Sequence, residues 1–170
     1  MQSKFFYFLF PCALLLFLAE CKKESLMTEE TDATLLAKAS ATSGFTYYKN
    51  SPLIYRSSPQ SGHTGYFRVR FNDIALNALT DGGKLPAGGT FPAGSLVVKE
   101  LHGDSAGTDL IGYAVMEKLP ADSNANQGWL WGEYVLSGAG GTRISSKGNI
   151  CVSCHSMNDR DKIRVFNLFP

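Results

Sequence analysis

Residues 151 to 155 read Cys-Val-Ser-Cys-His, and the chain ends at Pro170, so only a short segment follows this motif. The face opposite it is therefore expected to come from the β-rich chain before it. Two thiols spaced by two residues reach the two vinyl groups on one edge of a porphyrin, and the next residue brings an imidazole beneath the iron. The spacing reads as a covalent haem c site, with Cys151 and Cys154 forming the thioethers and His155 the axial ligand. Two other readings of the pair stay open. A thiol redox pair wants a βαβ setting in which the first cysteine opens a long helix. A tetrahedral zinc site needs further ligands, from His63, His102 or an acid, because there is no second cysteine pair.

The start of the chain is of a different kind. After Met1-Gln2-Ser3-Lys4, the stretch Phe5 to Ala19 is almost wholly apolar, broken by Pro11 and ended by Cys21-Lys22-Lys23-Glu24. A charged start, an apolar run and a cleavage region predict a secretory signal over residues 1–21. The run is shorter than the ~20 residues of a membrane span. Leu18-Ala19-Glu20-Cys21 resembles a lipoprotein signal, which makes Cys21 a candidate lipidation site and any membrane association that of a lipid anchor. Glu20 stands where such signals carry a small residue, so ordinary cleavage nearby is the alternative. Either way the expectation is an exported, periplasmic protein. With Cys12 inside the signal, only Cys151 and Cys154 remain for the folded part, too few for a disulfide scaffold. Sixteen Lys and Arg against fifteen Asp and Glu, with no basic block, argue against a nucleic-acid partner.

Residues 22–44 are polar and charged and read as a tether, with a short helix from Asp32 to Ala41. The domain is expected over 45–170. Tyr66 to Phe71 alternates, placing Phe67, Val69 and Phe71 on one face and Tyr66, Arg68 and Arg70 on the other. Asn72 or Asp73 caps a short helix through Leu79 that Asp81-Gly82-Gly83 stops. Further strands are predicted at Ser95–Leu101, Leu110–Glu117 and Gly128–Leu136. No βαβ alternation occurs, so the fold class is mainly β (α+β): an antiparallel sheet with a few short helices and a C-terminal haem-binding helix or loop.

Three segments in order, Phe91-Pro92-Ala93-Gly94-Ser95-Leu96-Val97-Val98-Lys99-Glu100-Leu101, then Gly128-Trp129-Leu130-Trp131, then Cys151 to His155 followed by Asp161 and Val165-Phe166, resemble the cytochrome P-460 family. That family comprises hydroxylamine-oxidising haem enzymes and the related β-sheet cytochromes c′, which bind nitric oxide. The resemblance implies an open distal face for a small nitrogenous ligand or substrate, a redox partner protein for the enzymes, and a homodimer. It also matches Lys99 to a lysine that cross-links to the porphyrin, and a buried amine is deprotonated readily enough to react. Distal candidates are His63, Glu133, Arg68, Arg70, Phe67, Phe71, Trp129 and Trp131. Arg68 is further a candidate partner for the haem propionates. Met116 is a candidate sixth ligand, which would make the protein a six-coordinate electron-transfer cytochrome; a haem-free metal-binding lipoprotein is the remaining alternative.

Overall fold

Alternating side chains give each strand of this protein two unlike faces, and the sheet buries both. The computed structural model describes residues 31–50, 53–58, 62–63, 65–120, 125–137, 141–156 and 160–168. The predicted signal, with Cys12, Glu20 and Cys21, lies outside them. The chain divides into Met1–Thr34 and Leu35–Pro170. In the first unit residues 31–34 are helical, and the second holds the sheet.

Seven antiparallel strands are seen among the described residues. They are β1 (Phe45–Tyr47), β2 (Tyr55–Arg56), β3 (Tyr66–Asn72), β4 (Leu96–His102), β5 (Leu110–Lys118), β6 (Trp129–Ser137) and β7 (Gly141–Lys147). From β3 to β7 each strand pairs with the next, a meander; β1 and β2 pair with the free edge of β3, at its Asn72 and Tyr66 ends respectively. The strands predicted from the sequence are β3 to β6, each end within a residue. β7 is one that the pattern missed.

Three helices accompany the sheet: α1 (residues 31–40), α2 (Asp73–Asn77) and α3 (Asn149–His155). Asn72 ends β3 and starts α2. Its Oδ1 accepts from the Ala75 and Leu96 amides at 3.0 and 2.9 Å, and its Nδ2 donates to the Gly94 carbonyl at 2.9 Å. The helix is shorter than predicted, because Ala78 and Leu79 turn back to Ala75 and Leu76 in the tighter i to i−3 pattern.

The register sorts the side chains. Val69 faces Lys99, Lys99 faces Ala114, and Ala114 faces Glu133, so these residues share one side of the sheet with Phe67, Phe71, Val97, Met116 and Trp131. That side packs against Val152 of α3 and against Ile163, Val165 and Phe166. Rings continue through it: Phe71 to Phe91 (6.5 Å between centroids), Phe91 to Trp129 (5.8 Å) and Trp129 to Trp131 (6.2 Å). Each large side chain so buried contributes about 1.5–3 kcal/mol. The other side carries Leu96, Val98, Tyr113, Val115 and Tyr134, covered by Leu35 and Ala39 of α1. Arg70 closes that helix: its guanidinium donates to the Ala39 and Ala41 carbonyls at 2.5 and 2.8 Å, where a helix end leaves acceptors unpaired. Leu35, Ala39 and Ala41, read above as part of the tether, thus pack on the sheet or bond to it.

Candidate functional site

Gly148, at φ 66°, turns the chain from β7 into α3. Only glycine adopts that conformation without cost. Within α3, Cys151 and Cys154 stand three residues apart and so lie on one face. Both are free thiols, Cys151 half-buried and Cys154 exposed. Burial pushes the Cys151 thiol up, the Glu133 charge adding to the effect, so it stays protonated near neutrality. Val152, buried between them in sequence, pins the helix against the sheet.

His155 is the last residue of α3. Its Nδ1 lies 2.8 Å from the Lys162 carbonyl oxygen. A carbonyl only accepts, so Nδ1 carries the proton and Nε2 keeps a lone pair. Burial lowers the pKa to about 4, against the raising effect of that hydrogen bond, and the imidazole is neutral at physiological pH. The ring stands edge-on to Trp131 at 5.0 Å. The acceptor comes from a turn in which Asp161 and Lys162 have φ of 49° and 72°. Such left-handed conformations cost about 1–2 kcal/mol per residue outside glycine, so the turn persists only because other contacts hold it.

A cavity of about 570 Å³ opens between α3 and the sheet. Cys151, Cys154 and His155 line it from the helix, and Val69, Lys99, Met116, Trp131 and Glu133 from the sheet. Its size and apolar walls are those of a cofactor or small-molecule site. The Lys99 ammonium sits 3.9 Å from the Phe67 ring centroid. Burial lowers its pKa to about 8, opposed in part by the Glu133 carboxylate. His63 Nδ1 lies 2.7 Å from Glu133 Oε2, the two side chains about one-fifth exposed, and His63 also lines the cavity. Beside Glu133 the β6–β7 register slips, an irregularity of the sort that re-aims side chains next to functional sites.

The sequence-derived candidates thus separate. The cavity gathers Cys151, Cys154, His155, Lys99, His63, Glu133, Phe67, Trp131 and Met116. Phe71 and Trp129 are core rings behind it. Arg68 lies on the opposite face of the sheet from the cavity, its Nε 2.5 Å from Glu100 Oε2 and its guanidinium over the Tyr47 ring at 4.4 Å. Arg70 faces the same way. The cation that sequence reasoning missed is Arg164, which lines the cavity and donates to the Cys154 carbonyl at 3.1 Å. A lone exposed arginine carries no motif, so no local signal marked it.

The donor set fits a haem c: two thiols on one helical face, a neutral histidine with its tautomer fixed, and an apolar cavity beside them. No group of three or more His, Cys, Asp and Glu suited to holding a metal ion occurs among the described residues. The family model described as Cytochrome P460 matches residues 46–166. Neither the curated proteins nor the solved structures give a match.

Proposed function

Because the chain belongs to the cytochrome P460 family, whose members are c-type haem proteins, we propose that it binds or oxidises a small nitrogen compound, hydroxylamine or nitric oxide, at an open face of its haem. The observation that carries this reading is the His63–Glu133 pair, a carboxylate and an imidazole 2.7 Å apart on the wall of the cavity that holds the Cys-Val-Ser-Cys-His motif. Bound haem supplies an iron that can coordinate the nitrogen compound and take electrons from it. Cys151 and Cys154 would hold the haem and His155 Nε2 would offer its lone pair to the iron, while Trp131 and Phe67 would exclude water and the polar wall would handle protons. Oxidation of an N–O compound releases protons with its electrons; Glu133 accepts a proton directly or through His63, and a redox partner protein takes the electrons. Lys99, a half-buried amine in the same cavity, is the candidate for a bond to the porphyrin. Arg164 replaces Arg68 as the candidate partner for its propionates.

Expressed in a strain competent for cytochrome maturation, the protein is expected to gain the mass of one haem and, once reduced, to bind carbon monoxide. Hydroxylamine oxidation with an artificial electron acceptor is expected to fall roughly 10²–10⁴-fold in Glu133→Gln. Turnover unaffected by that change would remove the proton-acceptor role and leave nitric oxide binding. Met116, on the cavity wall, favours a second reading as a six-coordinate electron carrier. Reduced protein inert to carbon monoxide would select it. Export to the periplasm, lipidation at Cys21 and a homodimer belong to the same proposal, supported by the signal-like start of the chain and by the family.

A further inference from the structure

The strained turn that presents the Lys162 carbonyl to His155 is tied to three parts of the fold through the Asp161 carboxylate. That carboxylate accepts from the Phe91 amide at 2.8 Å, from Lys118 Nζ at 2.8 to 3.0 Å and from the Trp129 indole Nε1 at 3.1 Å. The side chains of Asp161 and Lys118 are each only 10% exposed, and Lys118 also lies over the Trp129 ring at 4.9 Å. The three donors come from the loop before β4, from the end of β5 and from the start of β6, so one acid ties the turn to three separate parts of the unit. Within the turn the Ile163 amide donates to the Arg160 carbonyl at 3.2 Å. Arg160 is held in addition by Asp81 at 2.9 Å and by the Leu85 carbonyl. Both left-handed residues sit between these anchors, and the second of them supplies the acceptor for His155.

We propose that Asp161 is a positioning residue for the axial ligand: by fixing the turn it holds the Lys162 carbonyl on His155 Nδ1, and through that hydrogen bond sets the donor strength of Nε2 toward iron. The inference rests on the assignment of His155 as the axial ligand. A ligand histidine that gives its second N–H to a carbonyl is more basic and is fixed in orientation, and such outer partners change metal affinity or activity 10–100-fold when removed. Stronger donation favours the oxidised iron. Releasing the turn therefore weakens the ligand and favours reduction.

The test uses the haem-loaded protein. In Asp161→Ala the iron–histidine stretching band of the reduced form is expected to move to lower frequency. The midpoint potential is expected to rise by a roughly tenfold change in the reduction equilibrium, ~59 mV for one electron. The Phe91 amide and the Trp129 indole bond to different oxygens of the carboxylate, so Asp161→Asn keeps an acceptor for one of them and should restore both readouts only in part. Trp129→Phe removes one donor while keeping an aromatic ring, and should shift both readouts in the same direction by less, so the proposal remains testable if the alanine variant does not mature. A band and potential that stay at wild-type values in the variants, whatever the melting temperature does, would overturn it. Absence of an iron–histidine band from reduced wild-type protein that does bind carbon monoxide would instead sink the assignment of His155, and this proposal with it.

Discussion

Lys99 and Glu100 are neighbours in β4, yet their side chains enter opposite faces of the sheet and opposite electrostatic surroundings. Glu100 is surrounded by donors. Arg68 Nε donates at 2.5 Å and the Tyr47 hydroxyl at 3.3 Å, and the Arg70 guanidinium adds its charge with Nε at 3.1 Å. Burial, and then the Glu100 charge, raise the Tyr47 pKa, keeping its phenol a donor. Lys99 has no ion pair within 4 Å among the described residues; it rests on a ring in a cavity and its pKa drops. A buried charge that is fully answered by its neighbours holds structure together, because removing one partner strands the others. A buried charge left half-answered stays chemically adjustable.

Three measurements bear on that contrast. Glu100→Ala leaves the buried Arg70 without its counter-charge and is expected to cost about 3–5 kcal/mol of unfolding free energy, read by chemical denaturation. A loss below 1 kcal/mol would break the distinction between the faces. Lys99 should show itself through pH. Its folded pKa of about 8 lies below the ordinary 10.5, so the unfolded chain holds this proton more tightly. The penalty is fully present below pH 8 and is relieved as the pH rises toward 10.5, giving a gain of at most about 1.4 kcal/mol per pH unit. In protein whose Lys99 amine is unmodified, Lys99→Met should abolish that rise; a variant with the same pH profile as wild type would contradict the assignment. The smallest effect belongs to Lys38 in α1, 44% exposed and 2.6 Å from Glu117. Lys38→Ala should cost about 0.2–1 kcal/mol, less at high salt, which sets the scale for an answered charge that water can reach.

The sheet was legible where alternation was strong. Phe67, Val69 and Phe71 marked β3, and Val, Ile, Leu and aromatic runs marked β4, β5 and β6. β7 carries a single large apolar residue, Ile144, and that residue is 36% exposed. It pairs on one side only, and edge strands are polar for good reason, since a flat apolar edge invites aggregation. β1 and β2 are too short for any period to show. The cysteine pair and His155 were legible because their chemistry is local. The face that Arg68 takes was not: alternation gave two faces, but only the pairing of Val69 with Lys99 says which of them meets α3. Asp161 stood out in the family resemblance, while its partners at Phe91, Lys118 and Trp129 converge only after folding. Helix α1 was expected near its observed position; that it docks through Leu35 and Ala39 depended on an apolar face the tether's composition concealed.

The chain's two tryptophans are Trp129 and Trp131, their rings 6.2 Å apart, and the second lies 5.0 Å from His155 on the cavity wall. A strongly absorbing macrocycle in that cavity would drain their excited states by energy transfer. Intrinsic fluorescence then becomes a gauge of loading, bright in chains that have missed maturation and dark in those that have completed it, readable in a mixture without separating the two.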